Sequence, residues 1–148
     1  TIVELRDTIW AMNADAFTFD DLSSRIYNFI EKAQAAKEAT EFKFIIDEAL
    51  QKNTFSSLEG INLYRTIQEA VNNAIKYAEA TQIMVQVSKI QKGIQLEISD
   101  NGKGFDKEQN ELGNGLVNMQ KRIEEINGSF QIHSEVSKGT QITITLLK

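Results

Sequence analysis

The chain has 148 residues, 41% hydrophobic and 25% charged, which is enough for one domain with a real core. Its net charge of −5 argues against a sequence-independent nucleic-acid surface. The lack of cysteine excludes disulfides and thiolate metal sites and permits a reducing cytoplasm. No run approaches the roughly 20 apolar residues of a membrane span, so no membrane contact is expected of this stretch of sequence.

In chain order, Ile2, Leu5, Ile9 and Met12 recur at spacings of three, four and three. That fits the a/d seam of a coiled coil or bundle, or equally one end of an ordinary amphipathic helix. The pattern breaks between Asn13 and Phe17. The sequence starts inside this pattern without an initiator Met, so it reads as an excerpt from a longer protein. Thr18 with Asp21 resembles a capping box and predicts a helix from about Asp20 to Glu38, burying Leu22, Ile26, Phe29, Ile30 and Ala33. A strand from Phe42 to Asp47 should follow. Ser56 with Glu59 forms a second capping box and opens a long helix with apolar positions Ile61, Tyr64, Ile67, Val71, Ala74, Ile75 and Ala78.

Two strands of period two come next, Ile83, Val85, Val87 and then Ile94, Leu96, Ile98, joined by a turn at Gln91-Lys92-Gly93. Leu116, Met119, Ile123 and Ile126 define a third helix ending near Asn127-Gly128. A last hairpin pairs Phe130, Ile132 and Val136 with Ile142, Ile144 and Leu146 around Ser137-Lys138-Gly139. About five strands and three helices make one sheet with helices stacked on one face the economical α/β arrangement.

Three stretches carry chemistry. Glu69, Asn73 and Lys76 share a helix face by their four-and-three spacing, with Asn62, Arg65 and Asn72 near it. A solvated polar face accounts for them. So does a magnesium-nucleotide complex, because carboxylate and amide oxygens suit a hard cation and an ammonium meets phosphate as a point charge. The second stretch, Asp100-Asn-Gly-Lys-Gly-Phe-Asp106, begins where a strand empties into a loop. An Asx turn explains Asp-Asn-Gly. A calcium loop fails, because its third and fifth positions are Gly102 and Gly104 and its sixth is Phe105. A hairpin at Asn101-Gly102 lacks a following strand. The third stretch, Gly113-Asn-Gly-Leu116, opens a helix whose N–H groups and dipole favour an anion. Neither a G-x-x-x-x-G-K-[ST] nor a G-x-G-x-x-G signature is present.

Taken together these residues resemble the GHKL ATPases, and within them the catalytic domain of bacterial sensor histidine kinases. Gln68-Glu-Ala-Val-Asn-Asn-Ala-Ile-Lys-Tyr-Ala78 looks like that family's N box, Asp100 to Asp106 like its D-x-G-x-G box, Gly113 to Leu116 like its second glycine box, and Gly139-Thr140 like its late G-T pair. Order and spacing agree from about residue 20 to 148. The patterns Q-E-A-x-x-N-A-x-K-[HY]-A and G-x-G-L-x-N-M-x-x-R are similar to the nitrate-sensor and desaturase-sensor subfamily. Leu5-Arg-Asp-Thr-Ile-Trp-Ala-Met-Asn13 resembles the end of its second dimerisation helix, which favours the bundle reading of the leading seam.

The resemblance implies an α+β two-layer sandwich, a mixed sheet of about five strands with three helices on one face. It implies residues 1–17 as the end of a dimerisation helix plus linker and residues 18–148 as an ATP-binding catalytic domain. By the same resemblance Asn73 ligates Mg²⁺, Lys76 reaches phosphate, and Tyr77 stands where the family has His or Tyr. Asp100 accepts the adenine amino group, with Gly102 and Gly104 shaping that wall and Thr140 supporting the adenine end. Gly113, Asn114, Gly115 and Leu116 belong to the lid hinge and bring N–H groups to the phosphates. Glu69 matches the acid that activates water in hydrolytic members, while kinases often place the proton acceptor beside the phosphorylated histidine.

The implied activity is transfer of the ATP γ-phosphoryl group to a histidine, with the chain's own dimerisation helices and a response regulator receiver domain as partners, in the cytoplasm. The one histidine, His133, is out of phase with Phe130 and Ile132 and reads as a surface residue, so the acceptor is expected upstream of Thr1 or on another protein. Two other readings are an anti-sigma-type serine kinase and a nucleotide-binding module without chemistry.

Overall fold

The computed structural model describes residues 17–104 and 114–148. The leading seam from Ile2 to Met12, the Trp10 to Asn13 segment and most of the 1–17 region lie outside the described residues, as do Phe105, Asp106 and Gly113.

Helix α1 spans Phe19–Ala36. Its Thr18 hydroxyl accepts from the Asp21 amide and the Asp21 carboxylate accepts from the Thr18 amide, each at 3.1 Å, the reciprocal cap that the sequence predicts. Phe19, Leu22, Ile26 and Ile30 face inward. Strand β2, Glu41–Ile46, stops one residue before the expected end. Asp47 instead caps the 3-10 turn Glu48–Leu50, accepting from the Ala49 amide at 3.0 Å, and so drops Leu50 into the core. Two short strands that the sequence reading passes over, β1 (Phe17–Thr18) and β3 (Thr54–Phe55), pair antiparallel beside α1.

Helix α2, Ser57–Asn73, starts from the Ser56–Glu59 capping box and runs on into a π-helical turn, Ala74–Ala78. Strands β4 (Gln82–Ile90) and β5 (Gly93–Asp100), helix α3 (Asn114–Glu125), and strands β6 (Ser129–Glu135) and β7 (Gly139–Leu147) follow among the described residues. The five long strands form one sheet in the order β2-β4-β5-β7-β6. The β2–β4 pair is parallel, bridged by α2, and the other pairs are antiparallel.

The period-two residues Ile83, Val85, Val87, Ile94, Leu96, Ile98, Ile142, Ile144 and Leu146 are all buried, together with Ile26, Ile67, Val71, Met119 and Ile123 from the helices. The mixed sheet with three helices on one face is the expected architecture. Particular residues depart from expectation: Phe29 and Ala33 are half-buried rather than buried. Val136 is not in the hairpin's apolar row but 67% exposed, because β6 ends at Glu135 and the turn begins there. Asn62 does not join the polar face of α2. It is buried, and its Nδ2 donates to the Arg122 carbonyl at 2.8 Å and to Glu125 Oε2 at 3.1 Å, tying α2 to α3.

Candidate functional site

The last two turns of the α2 segment and the ends of β5 and β7 enclose a pocket. Its helical wall is Ala70, Asn73, Ala74, Tyr77 and Ala78, and its sheet wall is Ile98, Asp100, Thr140 and Ile142, with Gly104 at the loop. The sheet residues lie here by register. Asp100 stands opposite Thr140, one step beyond the buried pair Ile98 and Ile142, so the same strand faces that build the core end in polar groups at the rim.

Asp100 is half-buried, and its Oδ1 accepts from the Gly102 amide at 2.8 Å. Desolvation raises its carboxyl above the ordinary 3.8, against the lowering pull of the Gly102 and Thr140 backbone hydrogen bonds. The loop beyond it is stitched to its surroundings. Lys103 N donates to the Ala78 carbonyl at 2.7 Å, and Ser137 N donates to the Lys103 carbonyl at 2.6 Å. Gly102 is buried against Ala78, where any Cβ would overlap the Ala78 carbonyl. Gly139, at φ +87, passes the Asp100 carbonyl just as closely.

At the other end of the pocket, the first turn of α3 meets α2. A Cβ on Gly115 would stand 2.8 Å from Glu69 Oε1 and 3.3 Å from Asn73 Nδ2. Glu69, Asn73 and the α3 N-terminus thus converge on one place, where the helix dipole favours negative charge. Asn73 Nδ2 is buried and has no hydrogen-bond partner among the described residues. Leu116 packs against the core from the same turn. Asn114 opens α3, while Gly113 lies outside the described residues.

Of the residues singled out in the sequence, Asn73, Tyr77, Asp100, Gly104 and Thr140 line the pocket. Gly102 backs the loop, and Glu69 and Gly115 meet beside Asn73. Lys76 is exposed and outside the lining. The π turn is wider than an α turn, which breaks the spacing that would keep Lys76 on the Glu69–Asn73 face. His133 is exposed beside Glu135, at 3.4 Å, and does not line the pocket.

The sequence reading missed two supporting residues. Asn101 Oδ1 accepts from the Thr81 and Gln82 amides, both at 2.9 Å; its place inside Asp-Asn-Gly is a signal for such a turn. Ser134 Oγ lies 2.8 Å from Thr140 Oγ1. Nothing in the local sequence marks it, since only the β6–β7 register brings the two together.

A family model described as histidine kinase-, DNA gyrase B-, and HSP90-like ATPase matches residues 59–148. Sensor histidine kinase YdfH of Bacillus subtilis (strain 168) is 44% identical over 89 residues, covering 57% of this chain and 22% of the relative. The chain therefore spans about a fifth of that curated relative's length. The histidine kinase domain of the Erythrobacter litoralis EL346 blue-light activated histidine kinase superposes with a TM-score of 0.75 at 13% identity, over 97% of this chain and 74% of that one. Acinetobacter baumannii histidine kinase AdeS gives 0.70 at 17%, over 99% and 76%. At these identities the structural likeness speaks for the fold.

Proposed function

The chain belongs to the histidine kinase-, DNA gyrase B-, and HSP90-like ATPases, and from that premise we propose that it is the catalytic domain of a sensor histidine kinase. It binds ATP and transfers the γ-phosphoryl group to a histidine carried outside this sequence.

The observation that carries this reading is Asp100, a desolvated carboxylate held at the pocket by the Gly102 and Thr140 amides. Such a group accepts from the exocyclic amino group of adenine. It repels the carbonyl that guanine would bring. Tyr77, 44% exposed on the helical wall, offers a flat side to the base. Gly104 leaves the loop backbone close to it.

Mg²⁺ fits the donor set at the other end. The buried Asn73 Nδ2 has no partner among the described residues, and the two ends of a side-chain amide interchange by rotation, so its oxygen is available to a hard cation beside the Glu69 carboxylate. Among the described residues no group of three or more His, Asp or Glu side chains could hold a metal, which leaves the remaining positions to phosphate oxygens and water. When bound, the metal neutralises phosphate charge. The chain's own groups orient the triphosphate. The amides of α3 from Asn114 and Gly115 would turn N–H groups toward it, and Lys76, exposed and outside the lining, would reach it only by its long side chain as a point charge. Glu69, beside Asn73 and Gly115, would take a proton or order water. Phosphoryl transfer asks little more than such positioning.

Dimerisation helices and a response regulator receiver domain are the proposed partners, and the cytoplasm the proposed compartment. Among the described residues no helix is long and apolar enough to cross a membrane. The test is to supply γ-labelled ATP to the chain together with histidine-bearing dimerisation helices and then treat with acid. Label lost in acid marks phosphohistidine and supports the reading. Acid-stable label marks a serine kinase, and no label with ATP bound marks a module without chemistry.

A further inference from the structure

Ser134 on β6 stands opposite Thr140 on β7, and Thr140 stands opposite Asp100 on β5. The three make one cross-strand row that ends in the pocket. Ser134 Oγ donates to the Gly139 carbonyl at 3.2 Å and lies 2.8 Å from Thr140 Oγ1. A hydroxyl carries one proton and two lone pairs. Where the Ser134 proton goes to the Gly139 carbonyl, the short contact has Thr140 donating and Ser134 accepting. The Thr140 proton is then turned toward β6, and its oxygen meets the pocket with lone pairs. Both polar groups on this wall, the Asp100 carboxylate and the Thr140 hydroxyl, become acceptors.

We propose that Ser134 is a positioning residue that fixes Thr140 as an acceptor, and so selects purines with a 6-amino group over those with a 6-oxo group. The proposal rests on the reading of the pocket as an ATP site. A 6-amino group brings two protons to two acceptors. A 6-oxo group brings lone pairs to both. Without Ser134, the Thr140 hydroxyl is free to rotate and donate to the 6-oxo group, while Asp100 is unchanged.

The test compares ATP with ITP, each with Mg²⁺, by calorimetry on the whole chain. The unsubstituted protein should prefer ATP. Ser134→Ala should narrow the ATP-to-ITP preference by about fivefold, chiefly by gaining ITP affinity, and Ser134→Thr should restore it. In a Thr140→Val background, which has no hydroxyl to orient, Ser134→Ala should leave the ratio where Thr140→Val alone sets it. The proposal is overturned by a folded Ser134→Ala variant with an unchanged ratio, by an equal loss of both affinities, or by a ratio that still shifts in the Thr140→Val background. An unsubstituted protein that binds neither nucleotide overturns the ATP reading itself.

Discussion

The backbone amide of Lys103 donates to the carbonyl oxygen of Ala78 at 2.7 Å. This bond fastens the loop after β5 to the end of the α2 segment, and so sets the distance between Asp100 and the helical wall. It exists because Gly102 brings no side chain, since a Cβ there would overlap both the Ala78 carbonyl and its methyl. Asn101 doubles the tie through Thr81 and Gln82. The site's geometry is therefore carried mostly by main chain.

Gly102→Ala should separate the loop from Ala78. The overlap is with backbone, which cannot swing aside as a flexible side chain can, so a cost of about 1–3 kcal/mol is expected, along with a large loss of ATP affinity. Urea unfolding and calorimetry measure the two. A variant that matches the unsubstituted protein in both contradicts the close approach.

Asp100→Asn separates stability from binding. The Asp100 carboxyl lies above 3.8 in the fold, raised by desolvation against the backbone hydrogen bonds. The native state thus holds that proton more tightly than the unfolded chain does. Its contribution is most favourable below 3.8, is lost as pH rises through the folded value, and is unfavourable at neutral pH. Asparagine does not ionise there. At pH 7 Asp100→Asn should be at least as stable as the parent, and the difference should shrink in acid. ATP affinity should fall by about tenfold or more, the scale of a hydrogen bond to a charged group. Urea midpoints at pH 7 and pH 3 check the first part and calorimetry the second. A folded variant with unchanged ATP affinity removes Asp100 from the site.

Asp100 is legible in the sequence because a strand of clean period two fixes where its last residue points, and Asn73 because a capping box fixes the helix phase; Thr140 is marked only by the resemblance of Gly139-Thr140 to the family's late G-T pair. Val136 misled because period two continues through it in the sequence, while the left-handed Ser137 (φ 68) and Gly139 (φ 87) start the turn one residue earlier. Asn62 misled because a polar residue on an amphipathic helix is assigned to water by default. Its partners sit 60 and 63 residues away, beyond any local pattern. Strands of two residues carry no periodicity to read. The π turn at Ala74–Ala78 shifts phase without leaving a mark in residue type, which is why Lys76 was grouped with Asn73.

Asn73→Asp tests the other end of the pocket. A second carboxylate beside Glu69, at the N-terminus of α3, changes the donor set that Mg²⁺ would meet and adds negative charge near the phosphates. The base end, at Asp100 and Thr140, is untouched. Transfer to histidine-bearing dimerisation helices should fall by about a hundredfold, the scale of a misplaced reacting group, while ATP binding falls far less. Single-turnover labelling against calorimetry measures the split. Transfer at the normal rate takes Asn73 out of the metal site.

Glu59 supplies a prediction away from the site. Its Oε1 accepts from the Ser56 amide at 2.8 Å and from Lys148 Nζ at 2.6 Å, and Lys148 also lies 5.2 Å from the Phe55 ring centroid. Desolvation pushes the Glu59 carboxyl up, but the hydrogen bonds from Lys148 and Ser56 outweigh it, and the net shift is below the ordinary 4.5. The unfolded chain therefore takes up the proton first as pH falls. The stabilisation is fully present above 4.5 and is lost as pH drops through the folded value. Glu59→Gln should cost about 1 kcal/mol at pH 7, and the gap to the parent should close in acid. Because the pair is only 26% and 20% exposed, added salt should narrow that gap only slightly. Thermal unfolding of both proteins from pH 7 down to pH 3 gives the comparison. A gap that stays constant across that range would mean that Glu59 acts through packing and not through its charge.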